Sequence, residues 1–94
     1  MAKTILIVDD SSSLRMVVKL ALNRAGYDVL EAGDGKEGLA QLEKAGKVHL
    51  IVSDVNMPNM DGITFVTEVK KHPRHRFTPV IMLTTEGADS KKEQ

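Results

Sequence analysis

Three unbroken apolar runs punctuate the chain: Ile5–Val8 closes on Asp9 and Asp10, Leu50–Val52 closes through Ser53 on Asp54, and Val80–Leu83 closes on Thr84 and Thr85. Short continuous runs rich in β-branched residues predict strands covered on both faces, as in a parallel sheet. Between them the apolar period lengthens to that of a helix. Leu14, Val17, Val18, Ala21, Leu22 and Ala25 predict a first helix facing the core, with Ser11, Ser12 and Ser13 offering N-cap hydroxyls and Gly26 placed to end it at C′. Asp28–Ala32 is short and mixed, as an edge strand would be, and the Asp34/Glu37 pair resembles a capping box opening a helix that turns Leu39, Leu42 and Ala45 inward and ends at Gly46. Pro58 blocks helix continuation after Asp54, and Asp61 is placed to cap a third helix presenting Ile63, Phe65, Val66 and Val69 before Pro73.

Strands thus alternate with helices across connections of a few residues, which predicts an α/β fold of parallel βαβ units with helices on both faces. Residues 1–94 make one domain's length. With 41% apolar residues and 13 basic against 13 acidic ones, the chain can build a core and carries no excess of charge that would favour disorder. Zero net charge and three aromatic residues (Tyr27, Phe65, Phe77) argue against a nucleic-acid surface. The absence of cysteine excludes disulfides and thiol chemistry. No apolar run approaches the roughly 18 residues of a membrane span, and Met1–Thr4 leads into a strand rather than a signal peptide, so a soluble cytoplasmic protein is expected.

In open parallel sheets the ligand crevice lies beyond the carboxyl ends of the strands. The unusual polar residues fall there: Asp9 and Asp10 after the first strand, Asp54 after the third, Thr84 and Thr85 after the fourth. Any one of these carboxylates could be a helix cap, but capping alone does not account for the whole set. Neighbouring carboxylates raise one another's pKa unless a cation lies among them, and an all-oxygen site with few protein ligands suits Mg²⁺ better than Zn²⁺. A carboxylate nucleophile, Mg²⁺ and a hydroxyl together point to phosphoryl transfer onto aspartate.

The strings IVDDS, VSDVNMPNMDG and VIMLTTE, in that order, resemble the receiver domain of bacterial two-component response regulators, most closely single-domain regulators of the chemotaxis type. The resemblance implies a flavodoxin-like three-layer fold with strand order 2-1-3-4 for the strands present. It also implies Asp54 as phosphoacceptor, Asp10 as a direct and Asp9 as a water-mediated Mg²⁺ ligand, Asn56 as a backbone-carbonyl ligand, and Thr84 as the switch hydroxyl. The phosphodonor would be a histidine kinase, and an output protein of unspecified kind would read the phosphorylated form. Such a domain is not an enzyme in the ordinary sense, beyond phosphorylating and dephosphorylating itself. Receiver domains run on through a fifth strand with an essential lysine and a last helix, so the chain is expected to be a C-terminally incomplete receiver whose phosphorylation and output are impaired. Its uncovered surface would then be closed by a homodimer or higher oligomer. The alternative function is a receiver-like half-domain that assembles without being phosphorylated.

Other candidates have plainer readings. His72, Pro73, Arg74, His75 and Arg76, with Lys70 and Lys71, read as a solvated loop at a helix end rather than a metal or nucleic-acid site. Met16, Met57, Met60 and Met82 read as packing residues, and Gly33 and Gly35 as turn formers without a phosphate-loop motif. An aspartate-nucleophile hydrolase is disfavoured because no D-x-D-x-[TV] string is present.

Overall fold

The computed structural model describes residues 3–55 and 60–83. The elements run β1 (Thr4–Val8), α1 (Ser12–Arg24), β2 (Asp28–Ala32), α2 (Gly35–Lys44), β3 (Leu50–Asp54), α3 (Gly62–Lys71) and β4 (Val80–Leu83). The strands form one parallel sheet in the order β2-β1-β3-β4. This is the flavodoxin-like arrangement expected from the sequence.

Local chemistry accounts for the helix boundaries. Ser11, Asp34 and Asp61 are the N-caps, each side chain accepting the amide of the residue three positions on. Gly26 takes a φ of 97°, and its amide and that of Tyr27 bond back to the Asn23 and Leu22 carbonyls, which ends α1 in a Schellman motif. The capping box of α2 is offset by one residue: Glu37 Oε1 accepts the amide of Gly33 at 2.7 Å rather than that of Asp34.

The two faces of the sheet are buried unequally. Leu6, Val8 and Ile51 point to one side, where Leu42, Val48, Phe65 and Val69 complete a closed core beneath α2 and α3. Gly38 lets these two helices approach, since a Cβ there would stand 2.8 Å from Phe65 Cε1. On the other side α1 covers Ile7 and Val52 with Leu14 and Val18. No residue of α1 is fully buried. Its inward stripe is narrower than the sequence suggests: Leu14, Val18 and Leu22 are half-buried, whereas Val17 is 64% exposed and Ala21 and Ala25 face solvent. Val17 sits one residue, about 100° of helix rotation, away from Val18 and misses the sheet. Met16 on the same outer face is 61% exposed, so it is not a packing residue here, and Ile63 of α3 is likewise turned outward.

The His72–Arg76 segment is more than a solvated loop. Its basic residues are exposed, but His75 is buried, and its Nε2 lies 3.0 Å from the Leu42 carbonyl. The Arg74 guanidinium donates to the Glu43 carbonyl at 2.9 Å, and His72 Nε2 meets the Glu43 carboxylate at 2.9 Å. His75 and Arg74 thus satisfy carbonyls at the C-terminal end of α2 that the helix itself leaves open.

Candidate functional site

Register brings the acidic residues together. Val8 pairs with Ser53, so Asp9 leaves β1 beside Asp54, and Asp54 in turn pairs with Leu83. Carboxylate oxygens of Asp9, Asp10 and Asp54 all lie within 4.8 Å of one another, with Asp9 and Asp54 buried and Asp10 exposed. Asn56 and Thr84 lie outside the described residues.

Asp9 and Asp54 are held through their backbone. The Asp9 amide donates to the Ala32 carbonyl at 3.0 Å, and Asp9 Oδ1 accepts the Ser11 amide at 2.8 Å. Beneath Asp54, the Ser53 hydroxyl donates to the Asp54 carbonyl at 3.0 Å and the Gly62 amide to the Val55 carbonyl at 2.9 Å. Gly62 must lack a side chain, because a Cβ there would run into the Asp54 carbonyl and stand 2.6 Å from Met82 Cε. Asp61 caps α3 beside it, and the Thr64 amide that it accepts holds its carboxyl below the usual range.

Burial pushes the Asp9 carboxyl above its ordinary value, and the charges of Asp54 and Asp10 push it further; the Ser11 amide and the more distant Arg15 charge oppose them. A cation among the three carboxylates would relieve the repulsion that acts on Asp9. The donors are hard oxygens at the ends of the two inner strands, the set that Mg²⁺ takes with water filling the remaining positions, and they fit it. A cavity of about 400 Å³ between Lys47, His49, Arg74 and Phe77 lies at the opposite end of the sheet and shares no residue with the acidic trio.

Three residues of the site escape a reading by residue type. Gly62 could have been suspected, since glycine in the first turn of a helix is unfavourable unless something approaches closely. Arg15 reaches the Asp9 carbonyl from α1, and Ser53 holds the backbone of Asp54. Neither carries a pattern in the sequence that marks it.

A doubly wound sheet with a carboxylate cluster at its switch point, between the strands that wind in opposite directions, places the chain in the flavodoxin-like class of α/β folds, with its polar site where such sheets hold a ligand. The chain belongs to the response regulator receiver domain family, which it matches over residues 5–94. It is similar to the chemotaxis protein CheY1 of Helicobacter pylori, 43% identical over 84 residues that make up 88% of this chain and 68% of that protein. The chemotaxis protein CheY homolog of Campylobacter jejuni is also 43% identical over 84 residues, covering 65% of its length, so the chain spans about two thirds of these relatives. A stretch of the sensor histidine kinase CheAY of Helicobacter pylori, 10% of that protein, is 39% identical over 82 residues. Among solved structures, chemotaxis protein CheY4 of Vibrio cholerae superposes with a TM-score of 0.87 at 48% identity, covering 92% of this chain and 71% of that one. No helix among the described residues is long and apolar enough to cross a membrane.

Proposed function

We propose that residues 1–94 act as one receiver domain, a cytoplasmic phosphoacceptor of a chemotaxis-like phosphorelay, with Asp54 receiving the phosphoryl group of a histidine kinase. The observation that carries this reading is the meeting of Asp9, Asp10 and Asp54 within 4.8 Å at the ends of two adjacent strands. An Asp54 carboxylate oxygen attacks the phosphorus of a phosphohistidine; the O–P bond of an acyl phosphate forms as the N–P bond breaks, and the electron pair leaves on the imidazole. Burial of Asp54 and the bracing of its carbonyl by Ser53 keep that oxygen oriented and its surroundings dry. Asp9, Asp10 and Asp54, with the Asn56 carbonyl, would hold Mg²⁺, which supplies charge neutralisation for the phosphoryl oxygens. The Thr84 hydroxyl donates a hydrogen bond to a phosphoryl oxygen and so links acceptor chemistry to a change of surface that an output protein reads. The stretch similar to this chain inside a sensor histidine kinase supports a kinase as donor.

Incubation with a small phosphodonor and Mg²⁺ should add the mass of one phosphoryl group, and the adduct should be abolished by chelator and by Asp54→Asn. An adduct retained in Asp54→Asn would overturn the assignment.

A second reading, an assembling module that works without phosphorylation, is favoured by one observation. Met16, Val17 and Leu20 on α1, and Ile81 on β4, are each about half exposed or more on the side of the sheet that α1 only partly covers. That surface suits a second copy of the chain.

A further inference from the structure

Arg15 lies in the first turn of α1 with its side chain only 19% exposed, pinned from three directions. Its Nη1 donates to the Asp9 carbonyl oxygen and lies 3.5 Å from the Ala32 carbonyl, while Nε donates to Glu31 Oε1 at 3.3 Å. Lys19, one turn further along α1, holds the other oxygen of Glu31 at 3.1 Å. Gly33 leaves room for the guanidinium, since a Cβ there would stand 3.3 Å from Arg15 Nη1. The carbonyl that Arg15 grips belongs to the peptide joining Asp9 to Asp10, and the Asp9 amide is already tied to Ala32.

We infer that Arg15 is a positioning residue for the acidic pocket: it clamps the Asp9–Asp10 peptide against β2 and so sets the direction in which the two carboxylates point. The inference rests on the reading of that pocket as a divalent-cation site. It concerns geometry, not charge, and the two make opposite predictions. A fixed cation near the carboxylates repels a second cation, so a purely electrostatic Arg15 weakens Mg²⁺ binding and its removal strengthens it. A clamp does the reverse, because residues that orient metal ligands typically cost about tenfold or more in affinity when lost. The planar guanidinium spans the Asp9 carbonyl and Glu31 together, which a lysine ammonium cannot reproduce from the same backbone position.

The test is an Mg²⁺ titration of the intact chain followed by amide chemical shifts, with hydrogen exchange of the Asp9 and Ser11 amides measured in the absence of metal. Arg15→Gln and the charge-keeping Arg15→Lys should both weaken Mg²⁺ binding, the former about tenfold, and both should speed exchange at those two amides. Lys19→Gln, which breaks only the second arm of Glu31, should leave Mg²⁺ affinity unchanged. A lower melting temperature with unaltered affinity would make Arg15 a packing residue and overturn the inference, as would tighter binding in Arg15→Gln or wild-type behaviour in Arg15→Lys. A wild-type chain that shows no response to Mg²⁺ would overturn the pocket reading itself and this inference with it, and the wild-type titration separates that result from a failure of Arg15 alone.

Discussion

Gly62 occupies the first position of α3, directly under the acceptor strand, with the Asp54 carbonyl and Met82 Cε where its Cβ would be. In an ordinary helix Gly→Ala gains about 1 kcal/mol. Here overpacking, typically about 1–3 kcal/mol, should win, so Gly62→Ala is expected to lower the urea midpoint and displace the Asp54 backbone. A midpoint equal to or above wild type would show that the contact relaxes freely. Residue chemistry explains which parts of the site could be read from the sequence. Asp9, Asp10 and Asp54 were legible because a carboxylate closing a buried strand is costly and therefore conspicuous. Gly62 was legible only as an anomaly, a glycine opening a helix, and Arg15 not at all, because what each does depends on which backbone it touches.

At the scale of elements, α1 is tied to β2 through one carboxylate. The Glu31 pKa is lowered from 4.5, chiefly by its hydrogen bond to Lys19 and against partial desolvation, with Arg15 adding to the effect. The folded state therefore holds fewer protons on Glu31 than the unfolded chain does. The stabilisation is complete above the ordinary carboxylate pKa and is lost as pH falls through the lowered folded value. Glu31→Gln should cost up to about 1 kcal/mol near neutrality, the scale of partly exposed pairs. That gap should narrow as pH falls below the ordinary carboxylate range, as denaturant curves at neutral and acid pH would show; an undiminished gap in acid would mean that packing, not charge, is lost. The end of α2 depends in the same way on a loop from elsewhere in the chain. His75→Ala removes a buried side chain and leaves the Leu42 carbonyl only the longer bond from Arg74 Nη2 at 3.5 Å, so a loss of about 1–3 kcal/mol is expected, with phosphorylation of Asp54 unaffected. A melting temperature equal to wild type would contradict this. Helix starts were legible because Ser11, Asp34 and Asp61 are short polar caps before apolar periods. The burial of His75 and the exposure of Val17 were not, since both depend on how far a neighbouring element extends over them.

For the molecule as a whole, the apolar runs marked Ile5–Val8, Leu50–Val52 and Val80–Leu83 as strands and the mixed Asp28–Ala32 run as an edge, but the order β2-β1-β3-β4 came from the resemblance of the motifs, since β4 carries as continuous a run as β1 and β3 and yet lies at the edge of the described sheet. How completely each face is covered was not. The α2/α3 side encloses a dry core, whereas the α1 side leaves Met16, Val17, Leu20 and Ile81 open to solvent. This chain should therefore self-associate with rising concentration, and Leu20→Glu should shift light scattering toward the monomer; a monomer throughout the micromolar range would remove the case for an assembling module. The acidic end of the sheet is independent of that surface in its chemistry, and the central claim concerns it alone: Asp54, among three clustered carboxylates, is the one that takes the phosphoryl group. Reduction of the phosphorylated chain with borohydride, followed by peptide mapping, reads this directly because an acyl phosphate is converted to a stable alcohol at its own position. The modified residue should be Asp54, with formation dependent on a divalent cation. Modification at Asp9 or Asp10, or none with a small phosphodonor and Mg²⁺, would contradict the account.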